Sequence, residues 1–120
     1  MKILVIDDDD FMLEMIGMAL NEEGHTTHKG KSVDEAISLL EQEKDFDVVI
    51  TDIVMPEKDG TALINHIHSS DLRMPVLAIT GGMGNDVDDY VTMANLKHTL
   101  QKPFSKKGLV LAVQQMLATV

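Results

Sequence analysis

Cysteine is missing from the 120 residues, so the chain has neither a disulfide framework nor a thiolate metal site. Long apolar runs are missing too. No stretch approaches the length needed to span a bilayer, and Met1-Lys2-Ile3-Leu4-Val5-Ile6-Asp7 does not have the layout of a signal peptide. Positive charge is scarce: ten Lys and Arg stand against twenty Asp and Glu, a formal net charge of −10. A surface of that sign repels phosphates, which argues against nucleic acid or an anionic membrane as a direct partner and suits a cation or a basic partner. There is no internal repeat, low-complexity segment or linker. The expectation is one soluble, cytoplasmic domain over residues 1–120, with an apolar fraction of 44 % to build its core.

The chain is organised around Asp47-Val48-Val49-Ile50-Thr51-Asp52-Ile53-Val54-Met55-Pro56, closed by Asp59-Gly60. Val48 to Ile50 reads as a short buried strand, and Pro56 and Asp59-Gly60 force a loop. Asp52 therefore stands at the carboxyl end of a buried strand, the edge at which open α/β sheets bind ligands.

The same layout recurs. Ile3 to Ile6 is an apolar strand ending in Asp7, Asp8, Asp9 and Asp10, of which Asp9 and Asp10 suit a helix N-terminus. Phe11 to Glu23 reads as a helix with Met12, Ile16, Ala19 and Leu20 as its apolar stripe, stopped by Gly24; Leu13 and Met18 fall off that stripe. His25 to Lys29 is a polar strand suited to a sheet edge. Ser32 caps a helix in a capping box with Glu35. Gly60 to Ser69 is a short helix. Val76 to Ile79 is a strand ending at Thr80, followed by Gly81-Gly82-Met83-Gly84 and a helix carrying Val87, Tyr90, Val91 and Ala94. A fifth strand, Thr99 to Gln101, ends at Lys102-Pro103. Ser105 caps a last helix with Leu109, Ala112, Val113, Met116 and Leu117 on one side. Lys106 and Lys107 in its first turn oppose the helix dipole, with no structural reason visible in the sequence.

Five strands alternating with five helices predict βαβ units, a parallel sheet and a flavodoxin-like, doubly wound fold with strand order 2-1-3-4-5. In that order Asp7, Asp8 and Asp52 meet in one crevice. Three carboxylates there repel one another and call for a cation; an all-oxygen set points to Mg²⁺, with Mn²⁺ or Ca²⁺ as alternatives. Thr80 adds a hydroxyl and Lys102 an ammonium at the remaining strand ends. Each has an ordinary structural reading, but together they favour a site for a transferring phosphoryl group, with Asp52 as nucleophile.

Leu4-Val5-Ile6-Asp7-Asp8-Asp9, Asp52 through Gly60, Pro75 through Thr80 and Lys102-Pro103-Phe104 together resemble the receiver domain of two-component response regulators, over essentially the whole chain. The resemblance implies a stand-alone phosphoacceptor rather than an enzyme. Asp52 would take phosphate from a phosphohistidine on a sensor histidine kinase or histidine phosphotransfer protein. It implies Mg²⁺ at Asp8, Asp52 and the Val54 backbone carbonyl, with Asp7 helping through water. It implies Thr80 and Lys102 on the phosphoryl oxygens and a cis Lys102-Pro103 bond. No output domain is expected, so signalling would run through a downstream protein partner.

Three positions depart from the family pattern. Thr99 replaces the usual aromatic switch, Asn95-Leu96 replaces Gly-Ala, and Gly81-Gly82 follows Thr80. In similar domains the residues at the places of Val54 and Gly82 flank the path of the hydrolytic water; neither side chain here could hold it, so the resemblance implies slow self-dephosphorylation. Two other readings are open. A haloacid-dehalogenase-type phosphotransferase or phosphatase would need a second Asp where Val54 stands. A pseudo-receiver that only binds a partner would have lost a site residue, and none is lost.

Overall fold

A computed structural model describes residues 1–43, 45–53, 60–69, 74–80 and 98–118. Its strands are β1 (Lys2–Ile6), β2 (Thr26–Gly30), β3 (Val48–Asp52), β4 (Val76–Thr80) and β5 (His98–Gln101). The helices among the described residues are α1 (Asp10–Glu22), α2 (Val33–Gln42), α3 (Gly60–Ser69) and α4 (Lys106–Ala118). The expected helix around Val87 to Ala94 lies outside the described residues.

The strands form one sheet in the order β2-β1-β3-β4-β5, every pair parallel. This is the expected doubly wound, flavodoxin-like topology. Its logic is visible in the burial. All five residues of β3 and of β4 are buried, as a parallel strand covered on both faces requires. The polar strands β2 and β5 take the edges, where one side needs no apolar cover.

Alternation along the strands sorts the apolar side chains into two cores. Ile3, Val5, Val48, Ile50, Leu77 and Ile79 pack with Leu13, Ile16 and Leu20 of α1 and Leu109, Val113 and Met116 of α4. Leu4, Ile6, Val49 and Val76 face the other way, against Val33, Ala36 and Leu40 of α2 and Leu63, Ile64 and Ile67 of α3.

The helix signals act as read, with two refinements. Asp9 caps α1 by accepting from the Phe11 N–H at 2.9 Å, and Ser105 accepts from the Gly108 N–H at 3.0 Å. Gly24, at φ +88°, lets the chain leave α1 while the His25 N–H returns to the Leu20 carbonyl. Ser32 caps α2 through the Glu35 N–H at 3.1 Å, but Glu35 reaches back to the Lys31 N–H at 3.4 Å rather than to the capping residue itself. Lys106 acquires a reason: its ammonium pairs with Glu22 on α1.

The apolar stripe of α1 is corrected. Leu13 is 3 % exposed and belongs to the first core, whereas Met12 is only partly buried. The buried arc runs through Leu13, Ile16, Gly17, Ala19 and Leu20. Gly17 accounts for the difference, because it extends the arc past Leu13. It has no side chain to signal burial, yet Lys29 of β2 lies across it so closely that an added Cβ would stand 2.8 Å from the Lys29 Cε. The apolar side chains left outside are Phe11 and Met18.

Candidate functional site

The carboxyl ends of β1, β3 and β4 are aligned by the ladder itself. Ile6 pairs with Thr51, and Asp52 pairs with Ile79. The ladder continues past the strand ends: the Asp7 N–H donates to the Gly30 carbonyl at 3.1 Å, Ile53 to Ile79 at 3.1 Å, and Lys102 to Thr80 at 2.8 Å. The residues expected to carry chemistry are therefore flanked by sheet hydrogen bonds although the chain is already turning into loops.

The structure brings Asp7, Asp8 and Asp52 together as predicted. One oxygen from each carboxylate lies within 4.8 Å of the others, the one such grouping of His, Cys, Asp and Glu among the described residues. Asp7 and Asp52 are buried, at 1 % and 6 % exposure, and Asp8 is open to solvent. Lys102 also arrives where expected. Its Nζ donates to Asp52 Oδ2 at 3.0 Å and stands 3.8 Å from Asp7 Oδ2, within ion-pair range but beyond a hydrogen bond. The Lys102–Pro103 peptide is cis, again as expected.

Electrostatics set the site's preference. Burial pushes the Asp7 carboxyl from 3.8 up to about 6; the Asp9 N–H on its Oδ1 and the Lys102 charge pull it down, while Asp52 and Asp8 push it up. Asp7 Oδ2 is buried and has no hydrogen-bond partner among the described residues. Burial lowers the pKa of Lys102, but the hydrogen bond to Asp52 and the charges of Asp52, Asp7 and Asp8 together outweigh it and raise it. Lys102 is therefore a fixed ammonium facing more negative charge than it neutralises. A buried carboxylate oxygen without a donor, beside two more carboxylates, fits a hard divalent cation. The all-oxygen donor set suits Mg²⁺, Mn²⁺ and Ca²⁺ alike.

Thr80 is buried at 5 % exposure at the end of β4, its carbonyl tied to the Lys102 N–H. Thr99, in the place of the family's aromatic switch, is exposed on β5. Val54, Gly81-Gly82 and Asn95-Leu96 lie outside the described residues. Two contacts were not anticipated. The Asp9 backbone N–H holds Asp7 Oδ1 at 3.0 Å, and the Thr51 hydroxyl donates to the Asp52 carbonyl at 2.9 Å. The first had no sequence signal, because it is a main-chain donor. The second had one: a hydroxyl inside an otherwise apolar run.

Comparison with known proteins agrees with this geometry. The family model described as "Response regulator receiver domain" matches residues 3–114. Transcriptional regulatory protein GlrR of Escherichia coli K12 is 32 % identical over 117 residues, covering 96 % of this chain and 26 % of that protein. Probable transcriptional regulatory protein TcrX of Mycobacterium tuberculosis is 30 % identical over 124 residues, covering 96 % of this chain and 49 % of that one. The chain thus spans between a quarter and a half of the length of these relatives. Among solved structures, a putative response regulator from Chloroflexus aurantiacus superposes with a TM-score of 0.88 at 28 % identity, over 98 % of this chain and 97 % of that one. Chemotaxis protein CheY4 of Vibrio cholerae, at 22 % identity and a TM-score of 0.87 over 96 % of this chain and 97 % of that one, shares the fold. With nearly all of its length matched by the family model and its fold shared with these neighbours, the chain belongs to the response regulator receiver domain family.

Proposed function

We propose that Asp52 is the residue through which this receiver takes up its phosphoryl group, in a reaction assisted by Mg²⁺. The observation that carries this reading is the pairing of Asp52 with Lys102 at 3.0 Å, inside a cluster whose third member, Asp7, keeps a buried oxygen without a donor. The donor would be a phosphohistidine of a sensor kinase or phosphotransfer protein. An Asp52 oxygen forms the new bond to phosphorus, the bond from phosphorus to the imidazole nitrogen breaks, and that nitrogen keeps the electron pair. Lys102 and Thr80 are suited to the phosphoryl oxygens. Asp7, Asp8, Asp52 and the Val54 carbonyl would hold the metal, which supplies positive charge against the charge developing on those oxygens.

The same reading makes the chain a signalling phosphoacceptor whose own chemistry is limited to gaining phosphate and slowly losing it. Net charge of −10 argues against direct contact with a nucleic-acid backbone. A protein surface then suits this domain's own contacts better, and no described helix is long and apolar enough to cross a membrane. The test is exposure to acetyl phosphate with Mg²⁺, followed by intact mass. Wild type should gain one phosphoryl group and Asp52→Asn none. Gain at the wild-type rate by Asp52→Asn would remove the assignment.

A further inference from the structure

Four polar side chains are buried among the described residues: Asp7, Thr51, Asp52 and Thr80. The phosphoacceptor reading uses three of them. Thr51 is left over, and it is fully enclosed, at 0 % exposure, in the central strand of the sheet. Valine has nearly the same shape and would fill that position without a polar atom. A buried hydroxyl costs about 1–3 kcal/mol unless it is hydrogen-bonded, so the bond it makes needs an explanation.

That bond goes to the carbonyl oxygen of Asp52, at 2.9 Å. The other end of the same peptide group, the Ile53 N–H, donates to the Ile79 carbonyl at 3.1 Å. The peptide joining Asp52 to Ile53 is thus held at both ends, just where β3 leaves the sheet. By strand alternation the Thr51 side chain lies on the face of Val49, away from the face of Ile50 and Asp52. Thr51 therefore reaches Asp52 through its backbone rather than its carboxylate. Ile79, which holds the other end, directly precedes Thr80, so the clamp ties Asp52 to a second strand of the site.

We propose that Thr51 is a positioning residue for phosphoryl uptake: its hydroxyl fixes the peptide plane that follows Asp52, and so the direction in which that carboxylate meets Lys102 and the neighbouring acids. The inference rests on Asp52 being the acceptor. A carboxylate misplaced by a fraction of an ångström still exists and still carries charge, but it no longer lies in line with the phosphorus, and a displacement of about 1 Å can slow a reaction by about 100-fold.

The test compares wild type with Thr51→Val, which keeps the shape and loses the hydroxyl, and Thr51→Ser, which keeps the hydroxyl. Phosphorylation by acetyl phosphate is followed by intact mass over a range of donor concentrations, and the amide signal of Ile53 is followed by NMR. Thr51→Val should lower the saturating rate by about tenfold with little change in the half-saturating donor concentration, and should shift the Ile53 amide. Thr51→Ser should restore both. Equal loss in Val and Ser variants, a wild-type rate in Thr51→Val, or a loss that follows melting temperature rather than the hydroxyl would each overturn the inference. Asp52→Asn in the same assay separates the two ideas. Phosphate gain there removes the acceptor assignment, whereas a silent Thr51→Val with an inert Asp52→Asn removes only the role of Thr51.

Discussion

Lys102 donates to Asp52 Oδ2 at 3.0 Å while its second carboxylate neighbour, Asp7 Oδ2, stays 3.8 Å away. On the proposed function, one ammonium would serve two roles that oppose each other. It competes with any cation for the carboxylate cluster, and it is the group best placed to meet incoming phosphoryl oxygens. Lys102→Met should separate the two. A lost positive charge about 4 Å from the cluster, at an effective dielectric near 20, can strengthen cation binding by at least about tenfold. Mn²⁺ affinity measured by electron paramagnetic resonance should therefore rise in Lys102→Met, while phosphorylation by acetyl phosphate falls. Weaker Mn²⁺ binding in the variant would show that Lys102 organises the cluster rather than competing for it.

Asp7 makes stability depend on pH in a sense opposite to most salt-bridged carboxylates. Its folded pKa is raised from 3.8 to about 6, chiefly by burial. Below 3.8 it is protonated in both states; between 3.8 and about 6 the folded state holds a proton that the unfolded chain has lost. Its contribution is therefore lost as pH rises through that window, and above it the folded state bears a cost of roughly 3 kcal/mol at most. Without divalent cations, Asp7→Asn should be more stable than wild type at pH 7.5, and the gap should close towards pH 4. Added Mg²⁺ should raise the wild-type melting temperature more at pH 7.5 than at pH 5. Urea melts across pH check the first point and thermal melts the second; a gap that widens on acidification would contradict the environment assigned to Asp7.

Most of this site was legible in the sequence because the residues that matter sit at the ends of apolar runs. Ile6 to Asp7, Ile50 to Asp52 and Ile79 to Thr80 each mark a change from buried strand to loop, and parallel pairing then sets the ends side by side. Leu13 and Thr51 show where that reasoning stops. Leu13 falls off a stripe counted from side chains, because Gly17, which has none, conceals how far the buried arc extends past Leu13. Thr51 was passed over because a β-branched residue is ordinary in a strand, and only the direction of its hydroxyl gives it a role. The Asp9 N–H that holds Asp7 has no side-chain signature at all.

Gly17, inside α1, and Gly24, just past its end, serve different purposes and should respond differently to alanine. An alanine Cβ at Gly17 would stand 2.8 Å from the Lys29 Cε, the far part of a flexible side chain. Lys29 can swing out, giving up an exposed pair with Glu14 worth about 0–1 kcal/mol, while the helix gains about 1 kcal/mol in propensity. Gly24→Ala meets no atom within 4 Å but must adopt φ +88°, which costs roughly 1–2 kcal/mol. Gly17→Ala should be close to neutral and Gly24→Ala clearly less stable in denaturant melts. The reverse order would mean that Lys29 cannot leave the notch.

Phe11 and Met18 are 75 % and 61 % exposed, the largest exposures among the big apolar side chains on α1. They are seven residues apart, about two helical turns, so they share a face, with Glu14, Glu22 and half-buried Met15 beside them. Leu13, which falls off the expected stripe together with Met18, is core, and its replacement would unfold rather than inform. An apolar strip with an acidic border, starting next to Asp7 and Asp8, suits a helical partner that is apolar in the middle and basic at its rim. Substituting both Phe11 and Met18 by Glu should slow phosphoryl transfer from a phosphohistidine protein by about tenfold or more, because two buried apolar contacts would become unpaired charges. Uptake from acetyl phosphate, which needs no docking, should stay at the wild-type rate. Leu111, exposed at 45 % on α4, is the control: Leu111→Glu tests whether any apolar residue on this side matters. Equal slowing with both donors would place the damage in the site, and equal slowing by Leu111→Glu with the phosphohistidine donor alone would extend the docking face from α1 onto α4.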